Sequence, residues 1–179
     1  MSELPFAATT PVSVSRIGLK ARDAESLAAY YRDVVGLREL SRDGGTITLG
    51  AANRPLLDIE ADNAARPDDP RSAGLFHTAF LLPSRADLGR WINHAAANKI
   101  RIEGASDHLV SEALYLTDPE GNGIEIYSDR LPKDWKWNGD KIAMATERLN
   151  LAAVAASVPA GDAGWQGAPQ NSIVGHVHL

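Results

Sequence analysis

The stretch "LFHTAFLLPSRADLGRWINHAAAN", residues 75–98, changes its hydrophobic period halfway along. Its first part, "LFHTAFLLPS", carries the aromatic, threonine and aliphatic side chains of a buried strand. From Arg85 onward, Leu88, Trp91, Ile92 and Ala95 recur at the spacing of one helix face. Between the two, Ser84 stands three residues before Asp87 as a capping box. Further out, "KIRIEGASDH" and "ALYLTDPEGNGIEIYSD" add a strand, a second strand, a turn and a third strand. The turn residues of "PEGNG" make the last two a hairpin. The predicted order is βαβββ.

The same order stands upstream. "VSVSRIGLKA", Val12 to Ala21, is a strand candidate, and Asp23 caps a helix whose face is Leu27, Tyr30, Tyr31 and Val34. Gly36 stops that helix, and "LRELS", "GGTITLG" and "RPLLDIEAD" follow as strands. A polar link, "NAARPDDPRSAG", joins the two copies. Overlaying them sets Arg16 against His77 and Asp58 against Glu125. A repeat of this size implies two structural units sharing one core.

The last nine residues, "NSIVGHVHL", then read as a beginning. "GHVHL" matches "SRIGL" and "FHTAF", which places His176 opposite Arg16 and His77. The expected organisation is a first module at residues 10–63, a second at 73–130, a tryptophan-containing arm and linker at 131–170, and the first strand of a truncated third module at 171–179. On this reading the chain is a piece of a longer protein. An unpaired apolar edge is a template for association, so the terminal strand is expected to pair with a sheet edge of its own chain or of a second copy, as in a homodimer. It is not expected to carry His176 to a neighbouring module's metal position.

Composition sets limits. With 44% hydrophobic and 23% charged residues, the 179-residue chain is ordinary for a globular protein. A net charge of −5 with no basic cluster argues against a nucleic-acid face. No apolar run approaches a membrane span, and "MSELPFAATTPVSVSR" lacks signal-peptide character, so the expected setting is the cytoplasm with no membrane partner. The absence of cysteine leaves His, Asp and Glu to hold any metal, which suits iron, manganese or zinc.

The segments "LKARDAESLAAYYRDVVGL", "FHTAFLLPSRADL" and "SDHLVSEALYLTDPEGNGIEIYSDR" resemble the vicinal oxygen chelate superfamily of glyoxalases, fosfomycin and bleomycin resistance proteins and extradiol dioxygenases. The combination of "YYRDVVGL" with "DPEGNGIEIY" is the specific part. Within the superfamily, the chain most resembles catechol-2,3-dioxygenase-like proteins, which carry four such modules. The resemblance implies an α+β fold: two tandem βαβββ modules in a cupped, mostly antiparallel sheet around a cavity. It also implies that metal ligands come from the first and last strands of the modules, here Arg16, Asp58, His77 and Glu125.

His77 and Glu125 supply two thirds of a 2-His-1-carboxylate triad, the arrangement that leaves positions open on ferrous iron. Arg16 stays protonated and cannot ligate a cation. The glyoxalase-like branch of the family uses a carboxylate where Asp58 stands, so the resemblance implies Asp58 as the third ligand, with Glu60 on the same strand face as a fallback. Arg16 is expected either to contact substrate or to pair with Asp58 or Glu125 in a metal-free cavity. If it replaces a ligand, Arg16→His should strengthen iron binding. His108, in "SDHLVS", resembles the extradiol histidine near bound catechol and is the expected catalytic proton carrier. Tyr115 and Tyr127 are expected at the substrate, and His94 on the solvated side of its helix. Trp135 and Trp137 suggest a stacking clamp or, preferably, an arm docked on the sheet.

The functional expectation is a metal-dependent extradiol dioxygenase acting on a small aromatic diol, with Fe(II) preferred and Mn or Zn as substitutes. A metal-free module that sequesters an aromatic compound is the alternative from another class. A third is a glyoxalase-like isomerase using Asp58 and Glu125 as its carboxylate pair.

Overall fold

In the computed structural model, residues 6–67, 71 and 73–179 are described. Part of the "NAARPDDPRSAG" link and the first five residues lie outside them. The first unit runs β1 (Ile17–Ala21), α1 (Ala24–Tyr30), β2 (Arg38–Asp43), β3 (Thr46–Ala51) and β4 (Arg54–Ala61). The second runs β5 (His77–Leu81), α2 (Arg85–Ala97), β6 (Gly104–Asp107), β7 (Ser111–Thr117) and β8 (Gly123–Asp129). Short strands β9 (Trp137–Asn138), β10 (Lys141–Ile142) and β11 (Glu147–Arg148) lead to α3 (Leu151–Ala155) and the terminal β12 (Ile173–His178).

The units are mixed α+β, as expected of the vicinal oxygen chelate fold. Their strands form two sheets rather than one. One is ordered β1-β4-β3-β2; the other is β11-β6-β7-β8-β5-β12. Only β1–β4 and β5–β8 are parallel among the ladders of these two sheets. In the second sheet β12 occupies the free edge of β5, pairing antiparallel with it.

The local chemistry explains the elements. Asp23 accepts from the Ser26 amide at the start of α1, and Ser84 accepts from the Asp87 amide at the start of α2. The last turn of the first helix widens over Tyr31–Val35 and ends at Gly36 with φ 82°. Leu88, Trp91, Ile92 and Ala95 are buried as their spacing demands. Tyr31 donates to Asp118 Oδ2 and Trp91 Nε1 donates to the Val34 carbonyl, so the helices of the two units share a core.

Two strand expectations were too long. Val12–Arg16 does not join β1, whose parallel register with β4 begins at Ile17–Leu57. The next alternate position on β4 is Pro55, which has no N–H to continue the ladder. Likewise β6 covers Gly104–Asp107 and not the whole of "KIRIEGASDH". The arm docks through α3, whose Val154 is buried against α2, while Trp137 is 59% exposed. No helix among the described residues is long and apolar enough to cross a membrane.

Candidate metal centre

The second sheet has two chemically different faces. Along β8, Ile124 and Ile126 point into the core beneath the helices, while Glu125 and Tyr127 take the opposite, cupped face. On β5, Phe80 joins the helix-side core and His77 shares its face with Ala79 and Leu81. Cross-strand pairing sets Tyr115 opposite Glu125, on the same face.

The terminal strand completes the arrangement. Ile173 pairs with Leu81 and Val174 with Phe80, but His176, not Gly175, pairs with Ala79. This bulge adds one residue, and a one-residue slip turns every later side chain to the other face. His176 and His178 are thereby brought to the cup.

There His77 Nε2 lies 2.9 Å from Glu125 Oε2, and His176 Nε2 lies 3.2 Å from the same oxygen. The two imidazole nitrogens are 3.3 Å apart. Two imidazoles and one carboxylate within 4.8 Å of one another are a donor set that fits a divalent metal. Glu125 is 3% exposed, and among the described residues no lysine or arginine neutralises it. Such a carboxylate calls for a cation. Burial holds the His77 pKa below its ordinary value against the attraction of Glu125, and His176 and His178 push the same way as burial. His77 is thus kept neutral, the form that ligates.

An open cavity of about 870 Å³ adjoins this cluster, with Phe76, His77, Tyr115, Thr117 and His178 among its lining residues. Its size is that of a small-molecule site. A second cavity of about 670 Å³, lined by Ala105 and residues 148–152, holds no carboxylate or imidazole.

His108 reaches the site through Tyr115. The Ala145 carbonyl only accepts, so His108 Nδ1 donates to it at 2.8 Å. His108 Nε2 is left to accept from the Tyr115 hydroxyl, also at 2.8 Å. Burial, followed by the charge of Glu125, pushes the Tyr115 phenol up to about 12, so it stays a proton donor. Further along β8, burial lifts the Asp129 carboxyl to about 6 against the opposing pull of His176.

The other expected site residues lie elsewhere. Arg16, just before β1, pairs with Asp58 of β4 at 3.1 Å, and Asp58 also accepts from Thr48 of β3 at 2.8 Å. Neither belongs to the metal-donor cluster. Glu60 faces Lys20 at the surface. The overlay of the copies was nonetheless structurally sound. Arg16 stands two residues before Gly18, the partner of Asp58, as His77 stands two before Ala79, the partner of Glu125. Equivalent positions of two repeats are not neighbours, however, and the third donor comes from β12. Tyr127 is 5% exposed and sits behind His176, away from the cavity lining. His94 is more than solvated: its Nε2 donates to the Asp33 carbonyl at 3.0 Å. The donor that sequence reasoning passed over is His176; its alignment with His77 was the available signal.

Paired βαβββ units with two histidines and a carboxylate converging in a cup have the fold and the donor set that suit a divalent metal. The model of the "Glyoxalase/Bleomycin resistance protein/Dioxygenase superfamily" matches residues 13–126, and the chain belongs to that superfamily. It is 37% identical over 164 residues to a catechol-2,3-dioxygenase of Bacillus subtilis (strain 168), covering 90% of this chain and 56% of the relative. It is 24% identical over 123 residues to biphenyl-2,3-diol 1,2-dioxygenase 2 of Rhodococcus globerulus, covering 68% of this chain and 65% of that one. The chain therefore spans less than two thirds of the length of either relative. A glyoxalase/dioxygenase from Nostoc punctiforme shares the fold, with a TM-score of 0.56 and 24% identity over 66% of this chain and 92% of that chain.

Proposed function

We propose that this chain carries the centre of a metal-dependent extradiol dioxygenase acting on a catechol-like diol in the cytoplasm. The observation that carries the reading is the convergence of His77, Glu125 and His176 beside a cavity of small-molecule size. The similarity to two ring-diol dioxygenases supports it. The same convergence favours this reading over a metal-free sequestering module.

His77 Nε2, a Glu125 carboxylate oxygen and His176 Nε2 would hold the metal, with Fe(II) preferred. When bound, it supplies Lewis acidity and one-electron chemistry with dioxygen at positions the three ligands leave open. The chain's own residues bind and move protons. Phe76 and His178, ring centroids 5.1 Å apart, form an aromatic wall against which a flat diol packs. A diol hydroxyl entering the cavity meets Tyr115. Its proton passes through the Tyr115 hydroxyl to His108 Nε2, held ready as an acceptor by the Ala145 carbonyl. Buried Glu125 and His77 keep water from one side of the site.

The test is oxygen uptake with catechol after anaerobic loading with Fe(II). Consumption of one O₂ per catechol, with the visible absorbance of a ring-opened product, is expected. Iron binding without oxygen uptake on any ring diol would contradict the dioxygenase assignment.

A further inference from the structure

We propose that Tyr127 is a positioning residue for His176, and that Gly175 is what admits it. The inference rests on the metal centre described above and concerns how its least protected ligand is held.

The two histidines are held in different ways. His77 lies mid-sheet with β8 on one side and β12 on the other, and its side chain is only 8% exposed. Its Nδ1 has no hydrogen-bond partner, so packing against Phe76, Tyr115 and His178 fixes the ring. His176 lies on the outermost strand with a side chain 45% exposed. Packing alone leaves such an imidazole free to change rotamer and tautomer. Its Nδ1 faces the Tyr127 hydroxyl at 3.3 Å. For Nε2 to offer a lone pair to a metal, the ring proton must sit on Nδ1. With a metal on Nε2, the phenolic oxygen of Tyr127 is the acceptor placed to take that Nδ1 proton in a hydrogen bond.

Tyr127 reaches this place because position 175 has no side chain. A Cβ on Gly175 would lie 1.9 Å from the Tyr127 hydroxyl and 2.9 Å from Cζ. The same glycine stands where the register shifts between Val174 and His176. One residue thus allows the bulge that turns His176 into the cup and leaves room for the hydroxyl that orients it.

The test is titration of the metal-free chain with cobalt(II), followed by calorimetry and visible absorption, with ¹⁵N NMR of the histidine rings. Tyr127→Phe should weaken cobalt binding about 10–100-fold, the usual effect of removing a ligand's outer partner. The metal-free melting temperature should move by no more than about 4 °C, the effect of one lost hydrogen bond. With zinc(II) bound as a diamagnetic ion, the His176 Nδ1–H should be held against exchange with solvent in the parent and exchange faster in the variant. Gly175→Ala should weaken cobalt binding in the same direction. Unchanged affinity in Tyr127→Phe overturns the proposal. Weaker binding with unchanged exchange of the His176 Nδ1 proton also overturns it, since Tyr127 would then act by packing. A parent chain that binds no cobalt contradicts the metal centre itself, a result distinct from either of these.

Discussion

His176 Nε2 lies 3.2 Å from Glu125 Oε2 although β5 separates their strands. The contact spans the intervening strand because His77, on that strand, turns its own Nε2 toward the same oxygen. Three adjacent strands each contribute one donor. The centre therefore depends on the terminal strand as much as on the second βαβββ unit.

Removing residues 171–179 tests that dependence. Ile173 and Val174 are 4% and 0% exposed, and exposing two such side chains costs about 3–6 kcal/mol. A fall in melting temperature of about 10 °C is expected, with self-association through the bared β5 edge. Light scattering and a thermal melt would show both. An unchanged melt and a monomeric chain would mean the strand contributes nothing to the fold.

Arg16→His should leave metal affinity unchanged, because Arg16 is paired with Asp58 on the other sheet and the third donor is already present. A calorimetric titration showing tighter iron binding would place the first sheet at the centre after all.

Tyr115→Phe should keep the metal and lose proton transfer. With His108 Nε2 deprived of its donor, the catechol-dependent rate should fall about 10²–10⁴-fold at unchanged iron content. A rate within a factor of two of the parent would remove Tyr115 and His108 from the chemistry.

The segment that carries His108 is anchored by a carboxylate. The Arg130 guanidinium and the Leu109 amide hold Asp107 down to about 2, against burial. A carboxyl depressed in the folded state stabilises above its unfolded value near 4, and that contribution is lost as pH falls from about 4 toward 2. Acid unfolding followed by circular dichroism should therefore steepen in that window, and Asp107→Asn should lessen the steepening, leaving the share of Asp162, which Arg90 also holds down to about 2. An identical acid profile for the variant would show that the pair does not link to folding.

The repeat and the family resemblance singled out His77 and Glu125 in the sequence, and their strands bring the two side chains together on the cupped face. The helices were legible from their own residues, from Ser84 and Asp23 as caps to Trp91 and Leu27 as core. His176 was not. Strict alternation in "IVGHVHL" groups His176 with core-facing Val174, and only the bulge at Gly175 separates them. Asp58 was expected at the metal because the repeat aligns it with Glu125. Alignment marks equivalence within each unit and says nothing of which units meet. The third donor came instead from β12 on the β5 edge, a long-range pairing with no local signature.

The most direct measurement is iron content after anaerobic equilibration with Fe(II), for the parent chain, His176→Ala, Asp58→Ala and His94→Ala. One iron per chain is expected in the parent, Asp58→Ala and His94→Ala, and none in His176→Ala. Full iron content in His176→Ala, or its loss in Asp58→Ala, would contradict a centre built from His77, Glu125 and His176.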